Sequence, residues 1–378
     1  MSTRGVVHRP LRTFVIAGAL VVIVGGAFAY RMLRAWRTHV PAPAAIPVSI
    51  TEPTVPRWLD GALIPMATGQ PAAVAVVIDN APEARPPAGL TAAPLVFEVP
   101  MEGRRTRFLA IYPLPLLSAA RAGGALVGYE GPIGPVRSAR PYLVGLADAI
   151  GSPLVHVGGS NAALSLLKTR RHVNQYFDPP FQRTHTRRAP FNVFTSIAGL
   201  AAFVESRGWI GGSPSRPLAP PAPLWSFSDR VENTLTADSG STIHLPFSRG
   251  ERAFVVDWIY DDASGRYTRS EGGVTFRDAA AVPVTAKNVV TLAVRSEVLD
   301  AIGRLRIPAI EPPIGPPVEP FTTADAVVFR GGQRIDGRWG WKDGPPDAGV
   351  FGLRQKSLPI PLAPGTTWVE LVDFDIGR

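Results

Sequence analysis

Three carboxylates stand where two apolar runs end, and their positions suit them to proton transfer. Asp79 follows the first run, Glu98 lies inside the second, and Glu102 comes shortly after it. Two acids held close together acquire different pKa values and can serve as general acid and general base. The alternative is that Arg85 or Arg107 neutralises each acid in a buried pair, because an unpaired charge in low dielectric costs several kcal/mol. Both alternatives predict that acids and arginines meet at the edge of a packed sheet.

A second group of residues is typical of an anion site. Arg137 and Arg140 bracket Ser138 directly before a predicted helix, in the segment GPVRSARP. A helix start presents free backbone N–H groups and a partial positive charge, and two nearby guanidiniums would favour a bound phosphate or carboxylate. The alternative is that Ser138 only caps the helix and that the arginines pair with the three acids.

A histidine followed by a glycine turn is the third candidate. His156 lies in the segment LVHVGGSN, where Gly158 and Gly159 form the predicted turn and Ser160 is suited to cap the next helix. Glycines let a ligand approach the backbone closely. A histidine can act as acid, base or hydrogen-bond donor near neutral pH. A lone histidine in an apolar strand is as often a hydrogen-bonded core residue, so both interpretations stay open.

The basic segment QRTHTRRAPFN supplies two more predicted ligand contacts, Arg188 and Asn192. It could line the same cleft, and the alternative is a solvated loop. The sequence has no cysteine, which excludes disulfides, thiolate catalysis, cysteine-based zinc sites and a lipidated cysteine. No histidine spacing is typical of a metal site, and no P-loop, G-x-G-x-x-G or G-x-S-x-G motif stands where it would be needed. We therefore predict neither a metal nor a cofactor.

The positive charge of the sequence is concentrated at its N-terminus. The formal net charge is +9, and the first 40 residues hold six arginines and no acid, which leaves 9 − 6 = +3 for everything after. A high isoelectric point from this source is weak support for nucleic-acid binding. Nothing in the sequence marks a base-stacking module. We predict no nucleic-acid partner.

The N-terminal apolar stretch predicts a membrane association. Thr13–Tyr30 contains no charge and is flanked by arginines on both sides. Because about 18 to 20 apolar residues span a bilayer as a helix, we predict a single transmembrane helix or signal anchor over residues 13–30. A basic tail, 1–12, precedes it, and a Pro/Ala-rich tether, 31–69, follows. Ala27-Phe28-Ala29 also fits a signal-peptidase site. Both alternatives place the body on the extracytoplasmic side of the cell membrane.

The rest of the sequence divides into two predicted domains. We predict an N-terminal α/β domain over residues 70–211, a linker over 212–223, and a mostly β C-terminal domain over 224–378. The predicted strands of the first domain are Val74–Ile78, Leu95–Val99, Arg107–Tyr112 and Leu154–Val157, and its predicted helices are Arg140–Ile150, Asn161–Thr169 and Thr195–Arg207. The predicted fold class is α/β or α+β, with a mixed sheet, flanking helices and a single N-terminal transmembrane helix.

These blocks resemble the YerB-like family of bacterial surface lipoproteins, which carry an N-terminal and a C-terminal domain of unknown function. The resembling blocks are Ile78-Asp79-Asn80, Ala84-Arg85-Pro86, Gly134–Pro141, His156 with Gly158-Gly159-Ser160, and Arg188-Ala189-Pro190 with Asn192. The resemblance covers roughly residues 70–375 and implies an extracytoplasmic location, two domains and a polar cleft in the first. This sequence lacks the family's lipidated cysteine, which Thr13–Tyr30 would replace. It has Phe191 where the family often has histidine, which weakens any acid–base role for that loop.

Three functions are compatible with these residues. The first is a membrane-tethered cell-envelope protein whose N-terminal domain binds an anionic or polar ligand through the cluster of arginines, carboxylates and histidine. A small anionic or glycan-like molecule is the expected partner. The second is a hydrolase of an envelope substrate, with Glu98 or Glu102 as general base, His156 as general acid and the arginines as an oxyanion clamp. The third is a non-enzymatic scaffold that binds a protein partner through the aromatic residues of its second half. The predicted ligand contacts are Asp79, Asn80, Arg85, Arg107, Arg137, Ser138, Arg140, Gly158, Gly159, Ser160, Arg188 and Asn192.

Overall fold

The computed structural model describes residues 25–34, 52–114, 129–210, 225–230, 238–247, 251–312, 324–341, 351–356 and 358–373. The chain divides into two units, Met1–Glu52 and Pro53–Arg378. In the first unit, residues 25–34 form a helix, α1. No helix in the described ranges is long and apolar enough to cross a bilayer. The predicted transmembrane helix over Thr13–Tyr30 therefore finds no support, and residues 13–24 of it lie outside the described ranges.

The second unit contains the remaining described elements. Its α-helices are α2 (Pro141–Ile150), α3 (Asn161–Leu167) and α4 (Ile197–Ser206), and short 3₁₀-helices lie at Met66–Thr68, Pro82–Ala84, Leu90–Ala92, Glu102–Arg104 and Arg252–Phe254. Its strands up to residue 246 are β1 (Thr54–Pro56), β2 (Leu63–Pro65), β3 (Ala73–Asp79), β4 (Leu95–Met101), β5 (Arg105–Pro113), β6 (Leu154–His156), β7 (His172–Asn174), β8 (Gln182–Arg183), β9 (Val193–Phe194), β10 (Asp238–Ser239) and β11 (Thr242–Pro246). The later strands are β12 (Val255–Asp261), β13 (Arg266–Glu271), β14 (Val274–Thr275), β15 (Thr285–Ala286), β16 (Asn288–Val294), β17 (Glu297–Val298), β18 (Leu305–Arg306), β19 (Ala324–Arg330), β20 (Gln333–Trp341), β21 (Phe351–Gln355), β22 (Leu358–Pro359) and β23 (Thr367–Asp373).

Strands predominate over helices in this chain. Strands account for 42% and helices for 19% of the described residues, so the predicted α/β or α+β class is wrong. Many of the strands have only two or three residues. Such short strands carry no detectable alternation of apolar and polar residues, and the sequence pattern therefore underestimates the β content.

One twelve-stranded sheet joins the two halves of the sequence. Its strand order is β22-β21-β20-β19-β16-β23-β4-β5-β3-β6-β7, and β10 pairs with β20. Strand β23 lies between β16 and β4 and runs parallel to both. A strand from near the end of the chain is thus hydrogen-bonded to one from its first third, and this register places Glu370 opposite Glu98.

The central strands are buried on both faces. All seven residues of β3 and all seven of β4 are buried. Val76 and Ile78 belong to the core that includes α4 and a second sheet of order β11-β12-β13-β14, whereas Ala75 and Val77 belong to the core that includes α2 and α3. A strand covered on both faces is normally apolar throughout, so Glu98 within β4 requires partners.

The neighbouring strands β3, β6 and β7 are parallel, so their carboxyl ends lie together at one end of the sheet, which we call the sheet edge. The turn Gly158-Gly159-Ser160 follows β6, and Gly158 has the left-handed φ of 57° that favours glycine. Ser160 then caps α3 by accepting a hydrogen bond from the Ala163 N–H at 3.3 Å. The carboxyl ends of parallel strands form a crevice where open sheets commonly bind ligands.

Candidate functional site

A fully buried ion network lies where β4 meets β13. Glu98 Oε2 is 2.8 Å from an Nη of Arg269, and neither side chain has any exposed surface. Glu98 Oε1 accepts hydrogen bonds from the Thr106 hydroxyl at 2.5 Å and the Asn80 amide at 3.2 Å. The same Asn80 amide also donates to Glu271 at 3.0 Å, and Arg269 donates to Glu271 at 3.1 Å. The Glu98 carboxylate is therefore enclosed by protein groups and is not open to a substrate.

A second glutamate beside Glu98 completes this network. Glu370 on β23 is the register partner of Glu98 and is fully buried. Its Oε1 accepts a hydrogen bond from the indole N–H of Trp258 at 2.9 Å. Burial, and then the neighbouring charge of Glu98, raise the pKa of Glu370 well above its ordinary value. Its surroundings therefore favour the protonated form of Glu370.

Aromatic rings enclose the guanidinium of Arg269. Its central carbon lies 4.7 Å from the ring centre of Phe276, 5.2 Å from Trp368 and 5.5 Å from Phe108. The negative faces of such rings attract a cation, and the attraction is larger where water is absent. Burial alone would lower the pKa of Arg269, but the charges of the nearby glutamates more than offset it and the pKa is raised. Arg269 is therefore a permanent buried cation.

The predicted residues of the first half also form pairs closer to the surface. Arg137 is hydrogen-bonded to Asp79, and Arg140 to Glu102. Burial alone would raise the pKa of Glu102, but the hydrogen bond and charge of Arg140 outweigh it and the pKa is lowered. Arg107 donates to the backbone carbonyl of Ser138 at 2.8 Å. These contacts hold the GPVRSARP segment against β3 and β5.

His156 is buried and is hydrogen-bonded to a second histidine, His172. Its Nδ1 lies 2.7 Å from the Gly158 carbonyl, which can only accept, so Nδ1 carries the proton. Its Nε2, 3.0 Å from Nδ1 of His172, must then accept from that nitrogen. Burial lowers the pKa of His156 to about 4 and also lowers the pKa of His172, so both rings are neutral at pH 7. Nε2 of His172 is left as an acceptor without a partner among the described residues.

An open cavity of about 510 Å³ lies at this edge of the sheet. It is lined by Ser138, Val157, Gly158, Gly159, Leu164, Lys168, His172, Asn174, Tyr176 and Phe177. Tyr176 is 64% and Phe177 84% exposed. Asn174 Oδ1 accepts from the Gly158 N–H at 3.1 Å, which fixes the glycine turn against the end of β7. The cavity combines polar groups with two uncovered aromatic rings.

The structure distributes the other predicted ligand contacts over different places. Arg85 donates to Glu271 at 2.6 Å and, with Arg188, lines a separate cavity of about 460 Å³. Asn192 accepts from Arg183 at 3.0 Å on a surface loop. Ser160 lines a smaller cavity of about 200 Å³ with Arg140. Of the predicted set, Ser138, Gly158 and Gly159 line the cavity at the sheet edge, and His156 supports it through His172. The catalytic roles predicted for Glu98, Glu102 and His156 stay predictions.

Sequence reasoning missed seven lining residues of this cavity, of which five are polar or aromatic, namely Lys168, His172, Asn174, Tyr176 and Phe177. Lys168 directly follows α3, and the other four lie on or just after the short strand β7, which has no apolar run to mark it. The available signal was the adjacent aromatic pair before Asp178-Pro179-Pro180, where two large rings precede a segment that cannot continue a strand. In the described part of the chain, no group of three or more His, Cys, Asp or Glu side chains is arranged to hold a metal ion.

Comparison with known proteins identifies the family. The N-terminal domain of the "Protein of unknown function (DUF3048)" family matches residues 62–210, and its C-terminal domain matches residues 243–369. The chain belongs to the DUF3048 family. A relative named "Putative lipoprotein YerB", from Bacillus subtilis (strain 168), is 28% identical over 311 residues, which are 80% of this chain and 82% of the relative. The crystal structure of the Bacillus subtilis YerB protein is similar with a TM-score of 0.65 and 27% identity, over 84% of this chain and 97% of that chain.

These matches confirm the resemblance to YerB-like proteins. Together with the structure, they show where the two DUF3048 regions meet. Glu98 lies in the region matched by the N-terminal domain and Arg269 in the region matched by the C-terminal domain. The buried ion network therefore connects the two regions. The cavity at the sheet edge is formed by residues of the N-terminal region alone.

Proposed function

We propose that this DUF3048 protein binds a hydroxyl-rich, glycan-like ligand of the cell envelope in the cavity at the ends of β6 and β7. The observation that carries the proposal is the pair of uncovered rings, Tyr176 and Phe177, beside unpaired polar groups in one open cavity. A phenylalanine that is 84% exposed costs free energy of hydration unless something covers it. The apolar face of a sugar ring is a suitable cover, because its hydroxyl groups remain at the edge for hydrogen bonds.

The polar groups of the cavity suit hydroxyl groups better than they suit a highly charged ligand. His172 offers a neutral acceptor, and the side-chain amide nitrogen of Asn174 makes no hydrogen bond within the described residues. The Lys168 ammonium is the cavity's formal charge, so the cavity also accommodates one carboxylate on the ligand. The volume of about 510 Å³ lies in the range that small-molecule sites occupy.

The cellular location in this proposal comes from the relative. The Bacillus subtilis protein is named a lipoprotein, and we infer that the present chain also acts at the outer face of the cell membrane. Envelope glycans, including peptidoglycan fragments with carboxylate-bearing sugars and peptides, are accessible in that compartment.

Isothermal titration of the full chain with soluble peptidoglycan fragments tests the proposal. We expect saturable binding, and Phe177→Ala should weaken it at least tenfold, about 1.4 kcal/mol. Ile302→Ala is the matched control, because Ile302 is 73% exposed and does not line this cavity. Equal affinities for the wild type and Phe177→Ala would contradict the proposed site, and an absence of binding to every fragment would contradict the glycan ligand.

A further inference from the structure

A second cavity, of about 590 Å³, is lined mostly by residues of the region matched by the C-terminal DUF3048 domain, with Asp229 and Arg230 preceding that region. Its charged and polar lining includes Asp229, Arg230, Tyr260, Lys287 and Arg330. It shares no lining residue with the cavity at the sheet edge. The two cavities can therefore be tested independently.

The backbone at two glycines, Gly265 and Gly365, comes close to the side chain of Lys287 in this cavity. A Cβ on Gly365 would come within 2.8 Å of Lys287 Cγ, and a Cβ on Gly265 within 3.1 Å of its Nζ. Both glycines have positive φ, so the backbone passes close to the lysine on two sides. The side chain is half-buried. A flexible lysine that is confined in this way loses less conformational entropy when it binds a ligand.

The ammonium of Lys287 has no carboxylate partner within the described ranges. In this sequence 39 − 4 = 35 of the cationic residues are arginine, so a lysine at a half-buried position is an exception. A lysine ammonium is a compact point charge and a common phosphate ligand, whereas arginine favours flat bidentate pairing. The hydroxyl of Tyr260 lines the same cavity and also makes no hydrogen bond to a described residue.

Arg330 adds a fixed positive charge. Its guanidinium donates to the carbonyls of Pro361 at 2.8 Å and Ser228 at 2.7 Å, which hold it in position without neutralising it. With Arg230, Lys287 and Arg330 against the single acid Asp229, the lining carries a net charge of 3 − 1 = +2. Asp229 makes no close ion pair with these cations in the described residues, but its charge acts on Arg330. A phosphomonoester carries about −1.5 to −2 at pH 7, and a carboxylate carries −1.

We propose that this cavity binds the phosphomonoester group of a small molecule, with Lys287 as the principal contact and the Tyr260 hydroxyl as a hydrogen-bond donor. The charge of the lining matches a dianion, and its volume exceeds that of phosphate alone. The remaining space accommodates the organic part of the ligand between the glycine turns at Gly265 and Gly331.

Titration of the full chain with inorganic phosphate, followed by ³¹P NMR, tests this proposal. We expect saturable binding by the wild type and at least tenfold weaker binding by Lys287→Gln. Lys356→Gln removes the same charge from an exposed lysine outside the cavity, and it should bind as the wild type does. A parallel titration with acetate should give weaker binding than phosphate.

Tyr260→Phe provides a second test that does not depend on the stability of Lys287→Gln. It removes only the hydroxyl and keeps the ring, which packs 5.0 Å from Tyr267, so the fold should be retained. We expect about threefold weaker phosphate binding. The proposal is wrong if the wild type shows no saturable binding, if a folded Lys287→Gln binds phosphate equally well, or if acetate binds more tightly than phosphate.

Discussion

Glu98 and Arg269 form an ion pair of 2.8 Å in which neither side chain reaches solvent. They come from the two DUF3048 regions, and the carboxylate is further satisfied by Thr106. An unpaired charge in such a place costs several kcal/mol, so loss of either partner would strand the other. The pair is therefore a structural connection between the two regions.

The first prediction concerns this connection. Arg269→Met should lower the free energy of unfolding by about 3–5 kcal/mol, because it leaves Glu98 and Glu271 without their shared buried cation. Arg334→Met removes an exposed arginine that pairs with Asp336, and it should cost less than about 1 kcal/mol. Urea unfolding of both variants measures the difference. Equal costs would contradict a structural role for the pair.

The second prediction concerns pH. Burial raises the pKa of Glu271 to about 7 in the folded chain, from 4.5. Between these two pKa values, Glu271 holds a proton in the folded chain and has lost it in the unfolded chain. The stabilisation that this proton provides is therefore complete below pH 4.5 and is lost as the pH rises through 7. Between pH 5 and pH 8 the free energy of unfolding should fall by on the order of 2–3 kcal/mol.

Chemical denaturation at a series of pH values tests the assignment to Glu271. Glu271→Gln should flatten the decline between pH 5 and pH 8. Glu251→Gln, at an exposed position, should leave it unchanged. A decline of the same steepness in Glu271→Gln would show that another group is responsible.

The third prediction concerns the glycine turn at the sheet-edge cavity. A Cβ on Gly158 would lie 2.9 Å from the ring of Tyr176 and must displace it. Gly208→Ala is the matched control, because Gly208 has a similarly positive φ of 65° but an added Cβ would meet nothing within 4 Å. Both variants should lose about 1–2 kcal/mol of stability from backbone strain. Gly158→Ala should in addition weaken glycan binding severalfold, and a normal affinity in that variant would argue against Tyr176 as a contact.

The fourth prediction concerns the packing of α2. A Cβ on Gly145 would come within 1.7 Å of the carbonyl oxygen of Ile310, so the helix backbone lies directly against that turn. Gly145→Ala should destabilise the chain by about 2–3 kcal/mol, as overpacking of a core does. The added Cβ of Gly199→Ala in α4 meets only ordinary or slightly tight contacts, the nearest being the Ser196 hydroxyl at 3.1 Å, and this change should be neutral or stabilising. Thermal unfolding distinguishes the two, and similar melting temperatures would contradict the close approach of α2 to Ile310.

The sequence predicts the local elements of the first half well. The apolar runs at Val74–Ile78 and Leu95–Val99 correspond to β3 and β4, and the predicted helix Arg140–Ile150 corresponds to α2. These elements are strongly apolar and are bounded on at least one side by proline or charged residues, which is typical of buried elements. The predicted meeting of acids and arginines is also found, in the pairs of Asp79 and Glu102 with arginines.

Contacts between distant parts of the chain could not be predicted in this way. The sequence suggests Arg85 or Arg107 as the partner of Glu98, whereas the structure provides Arg269. That partner depends on the parallel pairing of β23 with β4 and on the packing of β13 over them. No local pattern encodes either relationship. Tyr176 was missed for a similar reason, because its exposure depends on where β7 ends.

Hydrogen exchange measured with and without bound peptidoglycan fragments tests the central claim most directly. The claim is that ligand binds at the ends of β6 and β7 while the buried ion network stays structural. We predict slower amide exchange in residues 158–160 and 174–177 and no change in β4 or β13. Protection confined to residues 186–191 of the basic segment, or to the strands that carry Glu98 and Arg269, would contradict this account.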